Sequence, residues 1–120
     1  MMDFQTWRNM IIDVVNQIAD PEYQSSSWFG KGENVSSPDE LYSGLFDDSM
    51  IEEFLETHAK QLTDEQRSAG LEFVRKMNQY APANVRYLDP TTVIRDPIWD
   101  EVRQSAKSFA SALMRVGKTP

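Results

Sequence analysis

Five carboxylates stand close together in the middle of this 120-residue chain: Asp47, Asp48, Glu52, Glu53 and Glu56. Side chains three and four positions apart share a helix face, so Glu56 can converge with Glu52 and with Glu53. Converging carboxylates suit two kinds of chemistry. They can offer hard oxygen ligands to a divalent cation, or they can form a negative surface that draws in a basic partner.

The first option has a test within the sequence. The helical nucleotide pyrophosphohydrolases use a Glu-x-x-Glu pair and a Glu-x-x-Asp pair further along. Glu53 and Glu56 supply the first pair. No second pair follows, since Ser68 stands three after Glu65 and Arg75 three after Glu72. The di-iron pattern Glu-x-x-His also fails, because the residue three before His58 is Leu55. No metal site and no cofactor are therefore expected. A metal-dependent hydrolase using Glu52, Glu53 and Glu56 remains the alternative reading.

Other catalytic patterns are missing. His58 is the one histidine, and nucleophilic catalysis would need it beside a hydroxyl and a third orienting group. No Gly-x-Ser-x-Gly turn singles out such a hydroxyl. A charge on His58 near the end of an acidic helix suits the helix C-terminus instead. Gly30-Lys31-Gly32 lacks the spacing of a phosphate-binding loop and reads as a turn. No catalytic residue is expected.

Charge is unevenly distributed. Residues 39–65 hold nine acids against one base, Lys60, while residues 66–120 carry an excess of bases. An acidic block of this kind disfavours nucleic acid, whose backbone needs clustered Lys and Arg, and favours a basic protein partner. The absence of cysteine excludes disulfides and thiolate metal sites. Met1–Arg8 shows neither a basic start followed by an apolar run nor a small-residue cleavage site, and no stretch approaches the ~20 apolar residues of a membrane span. A cytoplasmic location without membrane contact is expected.

These residues must be positioned by helices. An Asp or Ser cap before proline at the first helical position is a start signal, and it occurs at Asp20-Pro21, Ser37-Pro38, Asp89-Pro90 and Asp96-Pro97. Ser37 with Glu40, and Thr63 with Gln66, have capping-box spacing. Apolar residues recurring every three or four positions predict a first helix over 3–19 and a short turn through Tyr23 and Gln24. A second helix from Pro38 carries Leu41, Tyr42, Leu45 and Phe46 inward. Asp47-Asp48-Ser49 breaks it and caps a third bearing Ile51, Phe54 and Leu55. A fourth follows Thr63 and ends at Ala81-Pro82. A last one follows Asp96, bearing Trp99, Val102, Ala106, Phe109 and Leu113, and stops at Gly117. Residues 25–37, rich in Ser and Gly, read as a loop anchored by Trp28 and Phe29. Val85, Tyr87 and Leu88 alternate over too few positions to define a strand. The expected fold is an all-α bundle of four to five amphipathic helices in a single domain over 1–120. Trp7, Ile11, Leu45, Phe54, Phe73, Val102 and Phe109 should be buried in it. Arg67, Arg75 and Lys76 read as a solvated face or as ion-pair partners of the acidic block.

Ile18-Ala-Asp-Pro-Glu-Tyr-Gln24, then Trp28, then Ser37-Pro-Asp-Glu-Leu-Tyr-Ser-Gly-Leu-Phe-Asp-Asp48 form one set of short motifs, and Asp96-Pro-Ile-Trp-Asp-Glu-Val102 before an Ala-rich helix forms another. This layout resembles small bacterial α-helical proteins of polymorphic-toxin and contact-dependent-inhibition loci, where immunity proteins occur. The resemblance implies a toxin-neutralising partner role and brings no catalytic residues. The expected function is thus a non-enzymatic acidic protein-binding module that neutralises a basic toxin domain. Asp47, Asp48, Glu52, Glu53 and Glu56 would supply the field, with Tyr42 and Trp28 as aromatic anchors. Self-association into a homo-oligomer is a further reading.

Overall fold

The computed structural model describes residues 3–30, 35–82 and 88–115, and all regular structure among them is helical. In chain order it comprises α1 (Phe4–Ala19), α2 (Pro21–Trp28), α3 (Pro38–Ser43), a π-helical turn (Gly44–Asp48), α4 (Ile51–Thr57), a 3-10 turn (Ala59–Gln61), α5 (Asp64–Tyr80), α6 (Pro90–Arg95) and α7 (Pro97–Met114). The all-α bundle expected from the apolar periodicity is the architecture observed. Val85, Tyr87 and the stop expected at Gly117 lie outside the described residues.

All four Asp-Pro and Ser-Pro pairs open helices. The Asp20 carboxylate accepts from the amides of Glu22 and Tyr23, Ser37 from Glu40, Asp89 from Thr91 and Asp96 from Ile98. These bonds satisfy amides that a helix start leaves without partners. Thr63 and Gln66 complete a reciprocal capping box on α5. At Ser37 only the forward half of the box forms among the described residues.

Beside the five helices expected, the short helical turns expected after Asp20-Pro21 and Asp89-Pro90 extend into α2 and α6. Ser25–Trp28 belong to α2 rather than to a loop over 25–37. Serine is tolerated there because the Ser27 hydroxyl donates to the Tyr23 carbonyl one turn back, 2.7 Å away, and because Gln24 and Trp28 are buried. Likewise Asp47 and Asp48 do not cap α4. They lie in the π-helical turn, and Met50 stands at the α4 N-terminus with no side-chain cap.

The three long helices make the frame. Arg8 Nε donates to the Leu113 carbonyl at 2.9 Å, and at the other end of α7 Trp99 Nε1 donates to Gln24 Oε1 just beyond α1, so α1 and α7 are antiparallel. Gln66 Nε2 donates to the Ala112 carbonyl at 2.9 Å, and the Tyr80 hydroxyl donates to Asp96 at 2.9 Å, so α5 is antiparallel to α7 as well. Arg8 thus supplies a partner for the last-turn carbonyl of Leu113, and Gln66 adds a second donor to the Ala112 carbonyl, which also accepts from the Arg115 amide. All seven residues expected in the core are buried, as are Ile18, Ile51, Met77, Trp99 and Leu113.

Gly70 marks where α5 comes closest to its neighbours. A Cβ there would stand 2.7 Å from Leu55 Cδ2 and 2.9 Å from Phe109 Cε1. Gly70→Ala is therefore expected to lower stability by ~1–3 kcal/mol through overpacking, against a helix-propensity gain of ~1 kcal/mol. A thermal-unfolding midpoint equal to or above that of the wild type would contradict this close approach.

Candidate functional site

The segment from α3 to α4 bridges α1 and α5, and it carries the acidic block. Three contacts fix it. The Tyr42 hydroxyl donates to the Met77 carbonyl of α5 at 2.8 Å, and the Trp7 indole of α1 donates to the Ser49 carbonyl at 2.6 Å. Gly44 lies against α1 so closely that a Cβ would stand 3.3 Å from Val14 Cγ2.

Between these contacts the backbone departs from a regular α-helix. The Ser49 amide reaches back five residues to the Gly44 carbonyl at 2.9 Å, the widened turn of a π-helix. The Ser49 hydroxyl, donating to the Leu45 carbonyl at 2.7 Å, holds that turn from inside. Met50 then takes a left-handed conformation with φ 50° and ψ 56°, which costs a residue bearing a Cβ ~1–2 kcal/mol. Burial of Ile51 immediately after it, worth ~1.5–3 kcal/mol, offsets that cost. The bend sends Ile51, Phe54 and Leu55 into the core and leaves Glu52, Glu53 and Glu56 in solvent.

Asp47 and Asp48 are also exposed, on the π-helical turn directly before α4. Glu52 and Glu53 occupy the first turn of α4, where the helix dipole favours negative charge. Among the described residues none of these five carboxylates forms an ion pair. Four bases pair with other acids: Arg75 with Glu72, Lys76 with Glu72 and Glu101, Arg103 with Asp100, and Arg115 with Glu65. Of the two readings of Arg75 and Lys76, a solvated face or partners of the acidic block, the second is not the arrangement seen, because they pair with Glu72 of α5 and Glu101 of α7.

Two hollows border this acidic ridge. One, of about 380 Å³, is lined by Asp39, Tyr42, Phe46, Asp47, Glu52 and Leu88, with smaller contributions from neighbouring residues. The other, of about 370 Å³, lies between α4 and α5 and is lined by Glu52, Leu55, Glu56, Arg67, Leu71 and Val74. Glu52 lines both. In the first, the Tyr42 and Phe46 rings stack with centroids 6.1 Å apart and planes 22° apart. Burial, reinforced by the nearby Tyr80, pushes the Tyr42 hydroxyl well above its ordinary pKa of 10. The hydroxyl stays neutral and donates to Met77, so Tyr42 offers its ring to this hollow rather than a titrating oxygen.

Six of the seven residues singled out from the sequence, Asp47, Asp48, Glu52, Glu53, Glu56 and Tyr42, lie on the segment from α3 to α4, where Tyr42, Asp47 and Glu52 line one hollow and Glu52 and Glu56 the other. Trp28 does not. It is 8% exposed and packs against Trp99 with ring centroids 6.3 Å apart, so it anchors α2 to the core and is not available as a surface anchor. His58 follows α4 as expected, yet its ring serves packing. It lies 5.3 Å from Phe4, 5.4 Å from Trp7 and 5.7 Å from Phe54 between centroids, with Nδ1 paired to Gln61 Oε1.

Asp39 and Phe46 were not singled out as site residues from the sequence. The signal for Phe46 is its spacing of four from Tyr42, which places both rings on the flank of a helix whose inward positions are Leu41 and Leu45. Among the described residues no three His, Asp or Glu side chains are arranged to hold a metal ion, and no helix is long and apolar enough to cross a membrane. Comparison with protein-family models, with curated proteins and with solved structures gives no match.

Proposed function

We propose that the protein is a non-enzymatic binding module whose acidic ridge docks a cationic protein surface, most concretely an immunity protein that neutralises a basic toxin domain. One observation carries the reading. Asp47, Asp48, Glu52, Glu53 and Glu56 are exposed together with no ion pair among the described residues, while Arg75, Lys76, Arg103 and Arg115 pair with other acids. An unneutralised field on one face accelerates encounter with a partner of opposite sign. The identification of that partner as a toxin rests on the sequence resemblance.

The test is kinetic. The chain is used to capture its partner from the source cell, and the association rate is measured against salt. The rate should fall as ionic strength rises, because exposed charges are screened over ~8 Å at physiological salt. Reversing Glu52, Glu53 and Glu56 to Lys should slow association about tenfold or more. Lys in the first turn of α4 also opposes the helix dipole, so a triple Gln variant serves as control and should show a smaller slowing with unchanged helicity. A salt-independent rate that is the same in all three proteins would reduce the ridge to a solvated face.

A further inference from the structure

The hollow beside the ridge is a shaped site as well as a charged one. Its volume of about 380 Å³ lies within the range of ligand pockets, ~300–1,000 Å³. One wall is the stacked pair Tyr42 and Phe46, and the Tyr42 ring is held in place by the bond from its hydroxyl to Met77. Asp39, Asp47 and Glu52 also line it, and none of the three forms an ion pair among the described residues. Asp39 makes one long contact, accepting from the Leu88 amide at 3.5 Å.

Resting on the docking reading above, we propose that this hollow receives an arginine side chain of the partner, its guanidinium lying on the Tyr42–Phe46 wall and donating to the surrounding carboxylates. Three features select arginine over a compact cation. The carboxylates are spread around the hollow, and no three acids among the described residues converge closely enough to hold a metal ion. A point-like ammonium would meet the same difficulty, whereas five donors in a planar fork reach separate acceptors at once. The aromatic lining by Tyr42 and Phe46 suits a delocalised cation that stacks. The guanidinium is also more weakly hydrated than an ammonium and loses less on entering a partly apolar hollow. The arginine stem would then run along Ala81 and Pro82, which also line the hollow.

The experiment uses the full chain and three probes at matched ionic strength: N-acetyl-arginine amide, N-acetyl-lysine amide and the uncharged N-acetyl-citrulline amide. Backbone 1H–15N shifts are followed during titration. The expected result is a saturable response centred on Tyr42, Phe46 and Asp47, roughly threefold or more tighter for arginine than for lysine, with no saturation by citrulline. Asp47→Asn, at an exposed position, and Phe46→Ala should each weaken the arginine response by a similar factor, with helicity checked for both. Equal responses to arginine and lysine, or shifts spread along α4 that spare Tyr42 and Phe46, would overturn the proposal. The two readings fail separately. If the arginine site is lost while reversal of Glu52, Glu53 and Glu56 still slows the partner, the hollow falls and the ridge stands. If the reversal has no effect on the partner, the docking reading itself falls.

Discussion

Replacing Gln24 by leucine is expected to lower the unfolding free energy by ~3–5 kcal/mol, although leucine is of similar size and the site is fully buried. Every hydrogen-bonding position of this amide is used. Nε2 donates to the carbonyls of Gln17 at 3.0 Å and Ile18 at 2.7 Å, at the end of α1. Oε1 accepts from Trp99 Nε1 at 3.0 Å and from Arg103 Nη1 at 3.0 Å, both on α7. One side chain therefore closes the last turn of α1, starts the packing of α2 and ties both to α7. Leucine fills the space and leaves these partners stranded. An orphaned buried polar group costs ~1–3 kcal/mol, and at least the Ile18 carbonyl and the indole N–H of Trp99, itself a fully buried residue, lie deep in the core. Arg103 keeps its pair with Asp100 and recovers part of its loss. Urea unfolding of the variant should show a lower midpoint with an unchanged slope, since the surface exposed on unfolding is nearly the same. A loss below ~1 kcal/mol would mean that the network contributes no more than an average hydrogen bond.

Gln24 also shows what periodicity can and cannot convey. The long helices were legible because α1, α5 and α7 each bury a stripe of side chains at spacings of three and four, and every Asp-Pro or Ser-Pro start is a local signal with a local cause. Ser25–Trp28 read as a loop because serine-rich composition is ambiguous, and what decides it is tertiary: Gln24 and Trp28 find buried partners that lie 75 or 71 positions away along the chain. The acidic residues were legible as a cluster for the same local reason that α4 is short and charged. Their setting was not. The π-helical turn depends on Gly44 lying against Val14 and on Trp7 reaching Ser49 across 42 positions. Without that turn, a regular helix through Asp47 and Asp48 would rotate both carboxylates relative to Tyr42 and Phe46. The expectation that Asp47-Asp48-Ser49 caps α4 failed there, since Ser49 spends its hydroxyl on Leu45 and its carbonyl on Trp7.

Phe54→Ala should lose ~3–5 kcal/mol, and its effect should be concentrated on the ridge. The Phe54 ring is fully buried, with centroids 5.7 Å from Phe4, 5.6 Å from Trp7 and 5.7 Å from His58. It is the main attachment of α4 to α1. A helix of seven residues has too few hydrogen bonds to persist without such packing. The variant should therefore open locally at α4 before the frame of α1, α5 and α7 unfolds. Hydrogen exchange at the amides of Phe54 and His58, which bond to the carbonyls of Met50 and Phe54, should accelerate roughly a hundredfold or more, with a smaller change along α7. Uniform acceleration in all helices would show instead that α4 unfolds only with the whole. The same variant separates charge from shape in the proposed docking. It keeps every carboxylate, so the salt dependence of association should persist. It removes the geometry that holds Glu52 between the two hollows, so the complex should dissociate faster. If dissociation is unchanged while α4 exchanges freely, the ridge acts as a diffuse negative field, and the π-helical turn and the left-handed Met50 serve to bridge α1 and α5 rather than recognition.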